Sequence, residues 1–257
     1  MTDLTFPSVV ATLRATGCVY AEEEATVLVE SAQSPSELAA MIDRRVLGEP
    51  LEYVVGWGEF CGRRILVEPT VFVPRRRSEF LVRLALGRLS PGSIVVDLCC
   101  GSGAIGAALA SSVDEIDLYA VDIEPAAVRC ARQNLGGSAQ VFEGDLYEPL
   151  PPDLRGRVDL LAVNAPYVPT EEVRLMPPEA RLHEARVTLD GGPDGLVIQR
   201  RVAAEAGQWL APGGRLLIET SERQAPQTIE AFAAGRLDAE VVHDEDLGAT
   251  VVIGHRA

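Results

Sequence analysis

Four polar sites stand at the ends of apolar runs, and each carries a residue type with a definite chemical use. After Ser93-Ile-Val-Val comes Asp97-Leu-Cys-Cys-Gly-Ser-Gly-Ala-Ile-Gly106. Gly101 and Gly103 let a backbone approach a ligand closely, and a helix starting there offers unpaired N–H groups to an anion. The same glycine pattern occurs in dinucleotide sites, in turns that bind nothing and in methyl-transferring enzymes, so alone it decides little. A second run ends at Asp122, at about the twenty-residue spacing where a carboxylate accepts hydrogen bonds from the cis hydroxyls of a ribose. Asp122 could equally cap the helix that follows. A third run ends at Glu143-Gly144-Asp145, an acid placed to meet an adenine amine.

The fourth run is Leu160-Leu-Ala-Val, and it ends at Asn164-Ala165-Pro166-Tyr167. A side-chain amide oxygen is an acceptor without charge, and beside a backbone carbonyl it can hold both hydrogens of an NH₂ group. That arrangement suits a planar amide or an arylamine whose nitrogen must attack a carbon. Pro166 stiffens the loop, and Tyr167 supplies an aromatic wall. Asn and Pro also mark ordinary strand-to-loop turns, so it is the register of all four sites that points to a ligand.

The elements needed to bring these sites together are legible in the pattern. Residues 93–98, 115–122, 139–145, 157–164 and 213–220 read as strands, separated by helical stretches at 102–112, 124–135, 195–210 and 227–235. Alternating strand and helix predicts a mostly parallel, doubly wound Rossmann-like sheet, with ligands beyond the carboxyl ends of its strands. Two β-rich segments, 238–246 and 248–256, are close enough to form an antiparallel edge pair. The first third is different. Phe6, Val9, Val10 and Leu13, then Ala25, Leu28 and Val29, then Leu38, Met41, Ile42, Val46 and Leu47 recur at helical spacing, with Ser34-Pro-Ser-Glu37 as a helix start. Gly48-Glu49-Pro50 reads as the end of this helical bundle. Trp57 to Val73 reads as a β-hairpin broken at Gly62 and Pro69, and a helix follows from about Glu79 to Leu89. The expected organisation is a helical unit at 1–56, a hairpin linker at 57–76 and a catalytic unit at 77–257.

Composition narrows the classes of function. The 257 residues are 47% hydrophobic and carry a formal net charge of −15. Every basic side chain is arginine, since the chain holds no lysine. That balance opposes stable binding to nucleic-acid backbones, which requires clustered positive charge. The one dense basic cluster is Arg75-Arg76-Arg77. No run reaches membrane-spanning length and the first residues carry no secretory leader, so a cytoplasmic location without membrane contact is expected. Five cysteines and three histidines show no ligand-like spacing, and neither a disulfide framework nor a metal site is indicated.

Taken in order, the segments resemble the HemK/PrmC family of protein-(glutamine-N5) methyltransferases, class I enzymes dependent on S-adenosylmethionine. The similarity runs through Arg45-Val-Leu-Gly48-Glu-Pro-Leu-Glu-Tyr53, Glu59-Phe60-Cys-Gly62, Val71-Phe-Val-Pro74-Arg75 and Glu79. It continues through the glycine loop, Asp122, Asp145, Asn164-Ala-Pro-Tyr167, Leu189-Asp-Gly-Gly-Pro-Asp-Gly-Leu196, and Leu217-Ile-Glu219 with Gln224. The resemblance implies that Asp97, Cys99, Gly101 and Gly103 form the cofactor loop. It places Asp122 on the ribose with Ile123 beside it, and Asp145 near the adenine amine with Leu146. Asn164 and the Ala165 carbonyl would hold a glutamine amide, with Pro166 and Tyr167 walling it and Asn164 also touching the cofactor. Phe60, Pro74 and Arg75 match positions near the entrance. The implied products are an N5-methylated glutamine, in the family's usual case that of the release-factor Gly-Gly-Gln loop, and S-adenosylhomocysteine.

Three departures stand out: Cys99 where the family has glycine, Ala165 where it has proline, and an arginine run at 75–77 in place of a more proline- and acid-rich segment. The helical region before Gly48 is also short for the family. These keep other acceptors in view, namely a small-molecule or nucleobase amine. A cofactor-binding protein without catalytic activity is the reading from another class.

Overall fold

The computed structural model describes residues 4–257. Four helices, α1 (Phe6–Ala15), α2 (Ala21–Ser31), α3 (Pro35–Val46) and α4 (Leu51–Val55), bury Val9, Leu13, Ala25, Leu28, Ile42 and Val54 against one another. Ser34 caps α3: the Glu37 N–H donates to Ser34 Oγ at 3.2 Å, and Glu37 in turn accepts the Gln33 N–H at 2.7 Å. The expected stop at Gly48-Glu49-Pro50 ends α3 but not the bundle. Pro50 also opens α4, because a fixed φ and a missing N–H suit a helix start, and Gly56 closes it at φ +82°.

The hairpin is shorter than its sequence implied. Strands β1 (Trp57–Phe60) and β2 (Arg63–Leu66) pair antiparallel across a tight turn whose two residues, Cys61 and Gly62, both take positive φ. Residues 67–75 form no strand. Pro69 and Pro74 remove two donors, and the run instead buries Val67, Val71 and Val73 against Tyr53, Ala127 and Cys130. A helical turn at Arg76–Ser78 then leads into α5 (Glu79–Leu86), which stops at Gly87, short of the expected Leu89.

The rest builds the sheet: β3 (Ile94–Leu98), α6 (Ala104–Ala110), β4 (Asp117–Asp122), α7 (Pro125–Leu135), β5 (Ala139–Glu143), β6 (Val158–Val163), α8 (Pro178–His183), α9 (Val197–Trp209), β7 (Leu210–Thr220), α10 (Ala225–Ala234), β8 (Asp238–Asp244) and β9 (Ala249–His255). Strand order in this seven-stranded sheet is β5-β4-β3-β6-β7-β9-β8, with β9 antiparallel to both its neighbours. Alternate residues of the strands face opposite helical layers. Val95, Leu118, Leu160 and Leu217 pack with Leu81 and Leu109 on one side, and Val96, Leu161 and Ile218 pack with Val202, Trp209 and Phe232 on the other.

Two features of the sheet create the site. Strand order reverses between β3 and β6, which opens a crevice at their carboxyl ends. Leu98 lies opposite both Val121 and Val163, so the residues after β3, β4 and β6 emerge level. Between β6 and α9 the chain makes a long excursion through α8, and Arg45 ties α8 to the N-terminal helices by bonding Glu24 at 2.6 Å and Glu179 at 2.7 Å. Among the described residues, no helix is long and apolar enough to cross a membrane.

Candidate active site

One cavity lies at the switch point, and most of the residues singled out in the sequence surround it. Cys99, Gly101, Asp122 and Ile123 line one end, with Asp145 and Leu146, while Asn164, Ala165, Pro166 and Tyr167 line the other. Phe60, Pro74 and Arg75 also reach it. Asp97 and Gly103 do not. Gly103 sits at φ +76°, and a side chain there would stand 3.1 Å from the Ala131 backbone, so its smallness serves the packing of α6 on α7. Asp97 is fully buried behind the loop, where its Oδ2 accepts the Gly106 N–H at 2.9 Å. Burial first, with the Asp122 charge adding to it, pushes the Asp97 carboxyl up to about 7.

The glycine loop is held by the acid of the next strand. Asp122 Oδ2 accepts the Gly101 N–H at 2.8 Å, and Oδ1 accepts the Glu124 N–H at 2.9 Å. Asp122 thus makes an Asx-type turn onto Glu124, the N-cap of α7, rather than capping that helix itself, and each oxygen retains a lone pair for a further donor. Burial raises its pKa while the backbone N–H bonds oppose the shift. Cys99 takes φ +57°, the left-handed region that favours glycine, and a side chain there costs about 1–2 kcal/mol. On β5's end, Asp145 accepts from Arg201 Nη2 at 2.8 Å through Oδ2. A half-buried carboxylate against the glycine loop, an acid at the far strand and apolar walls from Ile123 and Leu146 suit the donors and faces of an adenosyl group.

At the other end the Asn164 amide stands with its nitrogen toward Ser78. Its Nδ2 donates to Ser78 Oγ at 3.2 Å, and Ser78 is almost fully buried at the start of α5. Among the described residues nothing donates to Oδ1, which leaves that oxygen to meet a ligand. Ala165 is buried beside it, and its carbonyl takes no backbone hydrogen bond among the described residues. The Tyr167 hydroxyl lies 3.5 Å from Glu219 Oε1, which also accepts from Arg77 Nε at 3.1 Å. Burial chiefly, then the Glu219 charge, pushes the Tyr167 phenol up to about 12. Arg75 pairs with the buried Glu184 nearby, joining the entrance to the excursion that carries α8.

The glycine-rich stretch 189–196 is a strap for this loop. Val168 N–H donates to the Leu189 carbonyl at 3.0 Å, and Gly191 N–H returns to the Val168 carbonyl at 2.9 Å. Gln224 Nε2 bonds the carbonyls of Tyr167 and Asp194, each at 2.9 Å. A Cβ on Gly195 would fall 2.2 Å from the Tyr167 carbonyl, so only glycine permits the approach. The sequence marks these segments without showing their role. Ser78 and Arg201 carry no local signal in it, being a lone serine after an arginine run and a helix-surface arginine.

Residues 65–234 match the model of the methyltransferase small domain family. The release factor glutamine methyltransferase of Geobacter sulfurreducens is 37% identical over 230 residues, covering 87% of this chain and 80% of that relative. The 4-amino-L-phenylalanine/4-methylamino-L-phenylalanine methyltransferase of Streptomyces pristinaespiralis is 35% identical over 201 residues, 75% of this chain and 68% of the relative. In fold, a crystal structure of a methyltransferase from Pyrococcus furiosus aligns with a TM-score of 0.59 at 14% identity, over 85% of this chain and 99% of that one. With the sheet order, the switch-point cavity and these likenesses together, the chain belongs to the release factor glutamine methyltransferase family.

Proposed function

We propose that this protein transfers a methyl group from S-adenosylmethionine to the side-chain amide nitrogen of a glutamine in a protein substrate, a peptide chain release factor, and releases S-adenosylhomocysteine. The observation that carries the reading is the Asn164 amide, whose Nδ2 bonds Ser78 while Oδ1 and the neighbouring Ala165 carbonyl remain as two acceptors in the cavity wall. Bound S-adenosylmethionine supplies an electrophilic methyl on a sulfonium. An amide nitrogen is a poor nucleophile because its lone pair is delocalised. The two acceptors would each take one N–H of the substrate NH₂, fixing the direction of the nitrogen and stabilising positive charge that develops on it. Their lack of formal charge matters, since no ionised base is needed while the nitrogen is being alkylated; the methylated nitrogen then gives up one proton to solvent. Tyr167 and Pro166 would flank the flat amide and exclude water. At the other end Gly101, Asp122 and Ile123 would hold the ribose side, and Asp145 with Leu146 the adenine.

The division of labour follows the elements. Residues 1–56 would present the protein substrate, the stretch 57–76 would join them to the sheet, and 77–257 would carry the chemistry. A release-factor substrate sets the reaction in the cytoplasm. The test is incubation with isotope-labelled S-adenosylmethionine and a purified release factor, followed by mass spectrometry of the digested product. Label on a glutamine side chain supports the reading, and an unlabelled release factor removes that substrate.

One finding favours a second acceptor class. A relative named for an aryl-amine amino acid is as similar as 35%, and the same pair of acceptors can hold an arylamine. Methylation of 4-amino-L-phenylalanine in place of the protein would decide for it.

A further inference from the structure

Arg201 takes no part in the reaction described above, yet it bonds one of the residues assigned to the cofactor. We infer that Arg201 is a positioning residue that aims Asp145 at the exocyclic amine of the cofactor's adenine, and so contributes to selectivity for an adenine base. The inference rests on the proposed reading of Asp145.

The backbone under Asp145 has little freedom. A Cβ on Gly144 would meet Pro149 Cγ at 2.8 Å, and Leu146 sits at φ +50°. What remains adjustable is the carboxylate's own rotation, and Arg201 Nη2 fixes it by holding Oδ2 at 2.8 Å. Oδ1 has no bond among the described residues and stays available for an N–H donor. Arg201 comes from α9, one turn after Ile198, and both side chains line the same cavity. Glu148 and Glu205 also lie near the guanidinium, but Asp145 is the acid it bonds, and that bond is the chief cause of its raised pKa. Both partners are partly exposed, so the pair adds little as an ion pair. Its value lies in orientation, because a carboxylate already turned toward the ligand loses less freedom on binding.

The experiment measures calorimetric affinities for S-adenosylhomocysteine and for its analogue with hydrogen in place of the 6-amino group. The proteins are the full chain, Arg201→Gln and Asp145→Asn, with thermal melts to show that each variant is folded. Arg201→Gln is expected to weaken S-adenosylhomocysteine by about three- to tenfold while changing the deaminated analogue by less than about twofold. Asp145→Asn is expected to abolish the preference between the two ligands. If Asp145→Asn abolishes it while Arg201→Gln weakens both ligands equally, or neither, the role of Arg201 is overturned and that of Asp145 stands. If the unmodified chain shows no preference, or Asp145→Asn retains it, the adenine assignment itself falls.

Discussion

Replacing Ser78 by alanine should slow methyl transfer without touching cofactor binding. Ser78 Oγ is the acceptor for Asn164 Nδ2 at 3.2 Å, and the serine is buried, so no bulk water takes its place. Removing it leaves an amide donor unpaired, at a cost of about 1–2 kcal/mol. That cost falls on the orientation seen here, in which Oδ1 faces the substrate NH₂; rotated by half a turn, the amide presents NH₂ to another NH₂. Converted to rate, the loss is a fall in kcat of about five- to thirtyfold. The assay is steady-state transfer from labelled S-adenosylmethionine to the protein acceptor, with calorimetry of S-adenosylhomocysteine on the same preparation. Cofactor affinity should change by less than about twofold, because the serine is remote from Asp122 and Asp145 in role. Ser78→Thr keeps the hydroxyl and should restore most of the rate. Full activity in Ser78→Ala, or a loss of rate matched by an equal loss of cofactor affinity, would refute the orientation argument.

Three further outcomes follow from the same geometry. Gly195→Ala, whose new Cβ would meet the Tyr167 carbonyl at 2.2 Å in a residue at φ +78°, should cost about 2–4 kcal/mol in urea unfolding and depress kcat; unchanged stability would show that the strap yields easily. Asp122→Asn should weaken S-adenosylhomocysteine by about ten- to a hundredfold in calorimetry, since the proposed charge-assisted bonds to ribose hydroxyls would be lost, and an unchanged affinity would remove the ribose assignment. Asp97 is held near 7 against an ordinary 3.8, so the folded chain keeps a proton that the unfolded chain releases. Its contribution is present below about pH 4 and is lost as pH rises through 7, so Asp97→Asn should stabilise the protein more at pH 8 than at pH 5, by on the order of 1–3 kcal/mol. A pH-independent difference between the two proteins in denaturant unfolding would contradict the shift.

Much of this site was legible because parallel strands buried on both faces leave continuous apolar runs, and their ends expose the polar residue that matters. Val95-Val96 before Asp97 and Leu160 to Val163 before Asn164 are of this kind. Strand-helix alternation then fixed the end of the sheet at which those residues meet. What failed was local ambiguity. Pro50 reads as a stop and serves also as a start, and the β-branched run after Val67 reads as a strand but has prolines and pairs only through an isolated bridge at Thr70 to Glu184 among the described residues. Gly103 shares the spacing of a ligand-facing glycine, whereas its neighbour is Ala131 on a helix formed later in the chain. Ser78 and Arg201 act across 86 and 56 residues of sequence, distances at which only the fold brings a hydroxyl to an amide or a guanidinium to an acid.

The most direct test of the central claim is methyl transfer by Asn164→Ala with cofactor binding measured in parallel. The half-buried amide can be removed with little change to the fold, and the account predicts that transfer to the glutamine falls by at least about a hundredfold while S-adenosylhomocysteine still binds. Transfer by Asn164→Ala close to that of the unmodified chain would contradict it, whatever the cofactor affinity.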